Sequence, residues 1–276
     1  MRRRRISLLL AILFMIAGFM LLFYPDISNM QKAMEHEAIL REYDRMVAQL
    51  TSNEIDEQLH RATIHNAHLG SPATPLLLGN MAPLPDDYAQ TLYVQGVMAW
   101  IDIPAIDVSL PVFHGSEPDV LARGVGHLEG TAFPIGGYST HSVLTTHSGL
   151  TGVRLFTDLE LLSYGDIFFV SVLGQRLAYK VDQIYKVLPH EIEQLRITPG
   201  KDLMTLITCT PIHINSHRLL VRGARIPYVP YMADEIMPIV LSTGFRTRVI
   251  IFAAFLTVNI FLSRGRRKPP VILLDD

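Results

Sequence analysis

The sequence predicts a mainly β fold, an all-β barrel or sandwich, with an N-terminal helical extension and two transmembrane helices. Three observations predict it. From Thr91 to about Tyr228, short apolar runs alternate with glycine, proline and aspartate, which indicates many short strands and frequent turns. Residues 26–67 are charged, poor in glycine and proline, and carry an approximate helical stripe. Two uncharged apolar runs lie near the chain ends, each beside a basic cluster.

The composition limits the classes of protein that need to be considered. A chain of 276 residues suits one domain plus membrane segments, or two small domains. A net charge of -2 provides no global basic field, which argues against nucleic acid as a partner. The single cysteine excludes an intramolecular disulfide.

The first element is an expected signal anchor over residues 1–25. Arginines occupy positions 2 to 5, and the run from Ile6 to Tyr24 carries no charge. At 1.5 Å rise per residue, this run nearly matches a hydrocarbon core of about 30 Å. A cleaved signal peptide is the alternative. We expect a retained anchor, because the run is long for a signal peptide and residues 25–29 form a poor cleavage site.

Residues 26–90 are expected to form a helical extension followed by a lid-like loop. The helical stripe comprises Glu35, Glu37, Ile39, Leu40, Tyr43, Met46, Val47, Leu50, Ile55 and Leu59. From Gly70 to Gln90, proline, glycine and small residues dominate.

Residues 91–228 are expected to form the catalytic β domain. Its clearest strand-like runs are residues 97–103, 142–146, 167–172, 177–181, 203–208 and 219–221.

The C-terminal part is expected to comprise a linker over residues 229–244, a transmembrane helix over 245–263 and a cytoplasmic tail over 264–276. Positive charges flank both apolar runs, at positions 2 to 5 and at Arg264, Arg266, Arg267 and Lys268. Basic flanks stay in the cytoplasm. The sequence therefore predicts a two-pass protein of the cell membrane with both termini inside and the β domain outside.

Cys209 is the candidate nucleophile. It ends the strand-like run 203–209, and Pro211 then stops the ladder. A strand end fixes a side chain while the neighbouring loop leaves it reachable. Because free cysteines are often buried as small hydrophobes, a structural role is the alternative. The threonines at positions 208 and 210 make the setting polar, which favours the catalytic interpretation.

A thiol nucleophile needs a neighbouring base, usually histidine, and the chain contains eleven. His147 follows a strand-like run and precedes a glycine, but the sequence alone does not select it over His127 or His141. His213 and His217 have a spacing that suits zinc only on a helix, and this stretch reads as a loop.

Arg218 is the candidate oxyanion donor. It begins the run 218–222, and it would return to the height of Cys209 if runs 203–209 and 218–222 were neighbouring strands. Its guanidinium would then donate hydrogen bonds to a developing oxyanion. A solvated surface arginine is the alternative.

At this point several ordered blocks resemble one family. The segments TLITCTP (205–211) and NSHRLLVRG (215–223) resemble the active-site signature of sortases. Upstream, GVMAWIDIP (96–104), GVGHLEG (124–130), HSVLTTHSGL (141–150) and LFTDL (155–159) resemble further blocks of the same family. The similarity covers about residues 91–226 and is greatest to class C, the pilus-assembly sortases.

The resemblance implies an eight-stranded sortase-type β-barrel with short helices, and it implies that His147, Cys209 and Arg218 are catalytic. It implies a cysteine transpeptidase that cleaves an LPxTG-like sorting signal through a thioester. The acyl group would then pass to a pilin lysine amine, which polymerises pili on a Gram-positive surface. No metal or organic cofactor is expected; the expected partners are pilin subunits and the membrane.

Two departures and two alternatives accompany the resemblance. Thr146 and Ser148 replace the glycine and arginine that usually flank the histidine in this class. Residues 51–95 lack the Asp-Pro-aromatic lid anchor, so we expect residues 68–90 to be mobile and the thiol to be open to solvent. The alternatives are a sortase that anchors proteins to a cell-wall precursor, with a water-using thiol hydrolase as a variant, and a non-enzymatic surface protein or sortase substrate. No LPxTG-like motif precedes the C-terminal apolar run, which argues against a substrate.

Overall fold

The computed structural model describes residues 2–69, 87–150 and 152–230. It contains three α-helices and eight β-strands within these ranges. The helices are α1 (Arg2–Val47), α2 (Ser52–Leu69) and α3 (Pro118–Arg123). The strands are β1 (Ala99–Ile103), β2 (Val108–His114), β3 (Val125–His127), β4 (Thr140–Thr145), β5 (Ile167–Val172), β6 (Gln175–Val187), β7 (Asp202–Thr210) and β8 (His217–Ile226).

The eight strands close into a barrel in the order β1-β2-β3-β4-β7-β8-β6-β5, and β5 pairs with β1. The β2–β3 and β4–β7 pairs are parallel, and the others are antiparallel. The prediction of an eight-stranded β-barrel with short helices and N-terminal helices is confirmed. Closure leaves no unpaired strand edge, which removes a site for aggregation.

Strand positions agree with the apolar runs, but some strand lengths do not. β5 coincides with the predicted run 167–172, whereas β6 and β8 extend well beyond the runs 177–181 and 219–221. The added residues are largely polar or partly exposed, such as Gln183 and Arg222. Backbone pairing between β6 and β8 holds them in the ladder, and an apolar run does not report that pairing.

The two faces of the site strands carry different clusters. Because side chains alternate along a strand, Leu144, Met204, Leu206, Leu219 and Val221 point inward and join the main core. Their neighbours on the outer face form a second cluster, which we call the outer apolar patch. It consists of Val143, Val187, Ile207 and Leu220, with Leu128 and Leu195 packed against it.

The N-terminal extension packs on the barrel. Residues of α1 from Asn29 onward belong to the same compact unit as the barrel. Tyr43 of α1 is buried and accepts a hydrogen bond from the Leu173 amide at 3.0 Å. Asn66 of α2 exchanges two hydrogen bonds with the Phe133 backbone, at 3.1 and 2.7 Å. The predicted stripe is therefore a packing face, since Ile39, Met46, Val47, Leu50, Ile55 and Leu59 also contact the core.

A capping box begins α2. The Thr51 hydroxyl accepts from the Glu54 amide at 3.3 Å, and the Glu54 carboxylate accepts from the Thr51 amide at 2.8 Å. Each side chain thereby satisfies a backbone donor that the first helical turn leaves without a partner. This pair separates α1 from α2 and so permits the extension to fold back on the barrel.

Within the described parts of the chain, no helix meets the length and hydropathy needed to cross a bilayer. The predicted C-terminal transmembrane helix, the tail and most of the linker lie outside the described residues. Residues 70–86, the greater part of the predicted lid-like loop, also lie outside them. The membrane topology and the mobility of that loop stay predictions.

Candidate active site

Cys209 and Arg218 lie directly opposite each other on the antiparallel pair β7–β8. The thiol is free and partly exposed. Residues in register across an antiparallel pair project on the same face with Cβ atoms about 5 Å apart. The structure therefore brings the guanidinium-bearing chain to the height of the thiol, as the sequence predicted on the condition that these strands were neighbours.

His147 lies on the other side of Cys209. β4 runs parallel to β7 with Thr145 paired to Ile207. Beyond the end of β4 the contact continues for one residue, because the Thr146 amide donates to the Ile207 carbonyl at 3.3 Å. The segment that carries His147 therefore leaves β4 at the end of the barrel where Cys209 and Arg218 lie.

Cys209 and Arg218 belong to the outer face of the barrel. Leu206 and Leu219 point into the core. Because side chains alternate along a strand, Cys209, three residues after Leu206, and Arg218, next to Leu219, point outward. Both are partly exposed, whereas the flanking Thr208 and Thr210 are buried. The reacting groups therefore face solvent while their neighbours anchor the strand.

The Arg218 guanidinium donates hydrogen bonds to backbone carbonyls nearby in the chain. It donates at 3.2 Å to the carbonyls of Asn215 and His217. Arg218 takes no part in the ion pairs found among the described residues, whereas Arg222 on the same strand pairs with Asp182 at 2.7 Å. A guanidinium without a carboxylate partner keeps its donors for an anionic ligand.

The outer apolar patch lies beside these polar groups. Ile207 and Leu220 are each two residues from Cys209 and Arg218, on the same strands and the same face. Residues 188–201, which connect β6 to β7, cover the patch through Leu195. The four residues of the patch are buried, so this connection shields them from solvent.

The other histidines are held elsewhere. His127 is fully buried: its Nε2 donates to the Ala132 carbonyl at 2.9 Å, and its Nδ1 accepts from the Tyr88 hydroxyl at 2.9 Å. Burial lowers the pKa of His127 to about 4. His141 lies six residues before His147, which is about 20 Å along a strand. Neither lies at the height of Cys209.

His213 and His217 lie at the β7–β8 connection. His217 pairs with Thr210 at the start of β8, and its Nδ1 lies 2.9 Å from the Ser216 hydroxyl. His213 is exposed and has a φ of 70°. The described residues contain no group of three or more histidine, cysteine, aspartate or glutamate side chains arranged to hold a metal ion.

Tyr88, near the end of the region expected to form the lid-like loop, is buried. Its hydroxyl accepts from the Gly115 amide at 3.0 Å and contacts His127, and its ring stacks on Phe133. Asp87 forms a 3.7 Å ion pair with Arg61 of α2. Both residues therefore tie the chain before β1 to the barrel and to α2.

Three polar residues near the site have roles that sequence reasoning missed. The Ser148 hydroxyl donates to the Cys209 carbonyl at 2.6 Å, and the Thr208 hydroxyl donates to the Thr146 carbonyl at 2.8 Å. His141 is buried, donates from Nδ1 to the Arg196 carbonyl at 3.0 Å and accepts at Nε2 from Thr205 at 2.7 Å. In the sequence, the signal that could have pointed to a special role here was the replacement of the usual glycine and arginine by Thr146 and Ser148.

A closed β-barrel with a free, partly exposed thiol directly opposite an arginine, and beside a segment that carries a histidine, offers the residue types that cysteine-dependent acyl transfer requires. Residues 101–226 match the family described as Sortase domain. The chain belongs to the sortase family, because it also covers nearly the whole of several solved sortases at more than 40% identity.

Solved structures of sortases C are similar to this chain over most of their length. Sortase C1 of GBS Pilus Island 1 is 42% identical with a TM-score of 0.64, over 70% of this chain and 93% of that one. Streptococcus pneumoniae sortase C is 43% identical with a TM-score of 0.64, over 69% and 97%. Sortase C-1 from Actinomyces oris is 47% identical with a TM-score of 0.58, over 63% and 99%.

Similarity to sortases of other classes is more limited. Sortase A of Streptococcus agalactiae serotype III (strain NEM316) is 32% identical over 117 residues, which is 41% of this chain and 47% of that protein. Sortase D of Bacillus subtilis (strain 168) is 32% identical over 105 residues, 36% and 51%. The chain spans about half the length of these relatives.

Proposed function

We propose that this chain is a pilus-assembly sortase that joins pilin subunits through Cys209, Arg218 and His147. One observation carries the proposal: the register of β7 and β8 sets Cys209 directly opposite Arg218. The end of β4 at Thr145, beside Ile207, supports a place for His147 near the thiol. The similarity to sortases C supports the class, and the structure of one of these, from Streptococcus pneumoniae, is described as giving insight into pilin substrate specificity.

The first half-reaction forms a thioester. The Cys209 thiolate attacks the threonine carbonyl of an LPxTG-like signal, and Arg218 donates hydrogen bonds to the oxyanion. His147, as imidazolium, gives its proton to the leaving glycine amine when the carbon–nitrogen bond breaks. Residues 188–201, which cover the outer apolar patch beside Cys209, would contact the leucine and proline of the signal.

The second half-reaction reverses the proton transfer. A pilin lysine amine attacks the thioester, His147 takes its proton, and the carbon–sulfur bond breaks to return the Cys209 thiolate. The product is an isopeptide bond between subunits. No step calls for a metal or an organic cofactor.

We further propose that the barrel works outside the cell membrane, with anchors at residues 6–24 and 245–263. The basic clusters beside both apolar runs support this orientation. An enzyme held at the outer surface meets exported pilins before they leave the membrane.

The test is to mix the full-length protein, in detergent micelles, with LPxTG-like peptides and to look for the acyl-enzyme by mass spectrometry. A pilin-derived lysine peptide and an oligoglycine amine, as a cell-wall mimic, are then offered together. We expect a thioester on Cys209, loss of the thioester in Cys209→Ala, and preferential transfer to lysine. Transfer only to oligoglycine would contradict pilus assembly and favour cell-wall anchoring. Peptide transfer by the Cys209→Ala variant would show that Cys209 is not the nucleophile.

A further inference from the structure

The β4–β7 ladder ends two residues short of the groups that must react. Its last pair is Thr145 with Ile207, whereas the proposed chemistry uses His147 and Cys209. In a parallel ladder that continued, the carbonyls of Thr146 and Cys209 would be the next acceptors of backbone amides. Some other interaction must hold the two chains together at this point.

Two side-chain hydroxyls use these same carbonyls. Ser148 donates to the Cys209 carbonyl at 2.6 Å, and Thr208 donates to the Thr146 carbonyl at 2.8 Å. The Ser148 bond runs from the segment after β4 to β7, and the Thr208 bond runs from β7 back to that segment. Together the two bonds flank His147 and Cys209. We call this pair of bonds the hydroxyl clamp.

The surroundings of the hydroxyl clamp leave little freedom to the backbone of His147. The Thr146 hydroxyl donates to the Gly124 carbonyl at 2.6 Å, and the His147 carbonyl accepts from the Phe156 amide at 3.2 Å. Gly149 has a φ of 71°, and a Cβ there would clash with the Ile212 side chain. A residue with a side chain at 149 would therefore strain this turn.

We propose that Ser148 is a positioning residue that sets the approach of His147 to Cys209 through the hydroxyl clamp. The inference rests on the proposed function for its catalytic meaning. Ser148 stands where the resemblance to class C sortases led us to expect an arginine. Its hydroxyl donates a hydrogen bond to the backbone carbonyl of the proposed nucleophile, Cys209. A misplacement of about 1 Å at such a site costs roughly 100-fold in rate.

The experiment compares Ser148→Ala, Ser148→Thr and Thr208→Val with a matched control, Thr140→Val, in the full-length protein. Thr140 is buried at the opposite end of β4, and its hydroxyl also donates to a backbone carbonyl at 2.8 Å. Two measurements are made: the rate and KM of thioester formation with an LPxTG-like peptide, and the pH profile of Cys209 alkylation by iodoacetamide.

We expect Ser148→Ala and Thr208→Val to slow thioester formation at saturating peptide by about tenfold or more with KM within about twofold. The alkylation profile should move to higher pH, because a displaced imidazolium supports the thiolate less well. Ser148→Thr should restore the rate, and Thr140→Val should behave as the wild type.

Equal rates and profiles in Ser148→Ala and the wild type would overturn the inference. Equal losses in Ser148→Ala and Thr140→Val would also overturn it, since they would show a general loss of stability. If the wild type forms no thioester, the proposed function fails by itself. The alkylation profile needs no peptide, so a shift in Ser148→Ala alone would still support the hydroxyl clamp.

Discussion

Arg218 and Arg222 lie on one strand and one face of the barrel, yet their surroundings differ. Arg222 forms a two-bond ion pair with Asp182, at 3.0 and 2.7 Å. Arg218, among the described residues, donates to the carbonyls of Asn215 and His217, which are neutral and therefore weaker acceptors than an anion. An oxyanion is such an acceptor, because charge-assisted hydrogen bonds are about twice as strong as neutral ones.

The difference predicts the outcome of a charge-conserving substitution. Arg218→Lys should lower the rate of thioester formation about 100- to 1000-fold, since lysine lacks the planar fork of donors. Single-turnover acylation with an LPxTG-like peptide measures the loss. Arg41→Lys, an exposed position on α1, is the control and should retain the full rate. Near-wild-type acylation by Arg218→Lys would reduce Arg218 to a structural residue.

At the scale of elements, the connection between β6 and β7 depends on one buried histidine. His141 of β4 donates from Nδ1 to the Arg196 carbonyl, so its Nε2 is free to accept from the Thr205 hydroxyl. Burial lowers the pKa of His141 to about 4, which keeps the ring neutral and preserves this pattern above about pH 5. The connection is thereby held over the outer apolar patch.

Loss of this bond should therefore affect substrate binding more than chemistry. We expect His141→Phe to raise KM for an LPxTG-like peptide about tenfold while the maximal acylation rate changes less than about threefold. Hydrogen exchange of residues 188–201 should accelerate, because the Arg196 carbonyl loses its donor. His190→Phe, on the same connection but exposed, is the control. A fall in the maximal rate with unchanged KM would contradict this prediction.

At the scale of the whole molecule, four histidines lie where the chain before β1 packs on the barrel. His36 of α1 donates to the Arg123 carbonyl at 3.0 Å, and His114 donates to the Thr91 carbonyl at 2.7 Å. His65 of α2 packs edge-on against Phe133, and His127 contacts Tyr88. Burial is the largest cause that lowers the pKa of each, and backbone acceptors oppose it.

The direction of these pKa changes predicts that acid loosens the extension. A detached histidine takes up a proton near pH 6.5, whereas the packed ring resists it to a lower pH. Packing of the extension is therefore fully stable above about pH 6.5 and weakens as the pH falls through the window down to about pH 4. Hydrogen exchange of residues 29–69 in the full-length protein should be faster at pH 5 than at pH 7, relative to the barrel strands.

A matched pair of variants isolates the histidines. His36→Gln keeps a donor for the Arg123 carbonyl but does not titrate, so the acid sensitivity of α1 should decrease. His190→Gln, exposed and remote from the extension, should leave it unchanged. Glu35 and Lys32, which flank His36, are present in both variants, so their charges cancel in the comparison. Equal protection of residues 29–69 at both pH values would contradict the prediction.

The sequence by itself determined the class of fold, the positions of most strands and the identity of the candidate nucleophile. Short apolar runs report where strands lie, because each strand buries at least one face. The unique cysteine at a strand end left few alternatives. Arg218 was predicted only on the condition that β7 and β8 were neighbours, and the choice of His147 over His127 and His141 came from resemblance alone.

The tertiary structure decided which residues meet. The parallel pairing of β4 with β7 joins residues 62 positions apart, and no local pattern encodes that register. The same pairing revealed the bonds of Ser148 and Thr208, which depend on two loops that pass each other beyond the ladder. Tyr88 likewise proved to be a core residue, since its burial is set by barrel residues far along the chain. Local sequence reports which way a side chain faces, but long-range pairing fixes its neighbours.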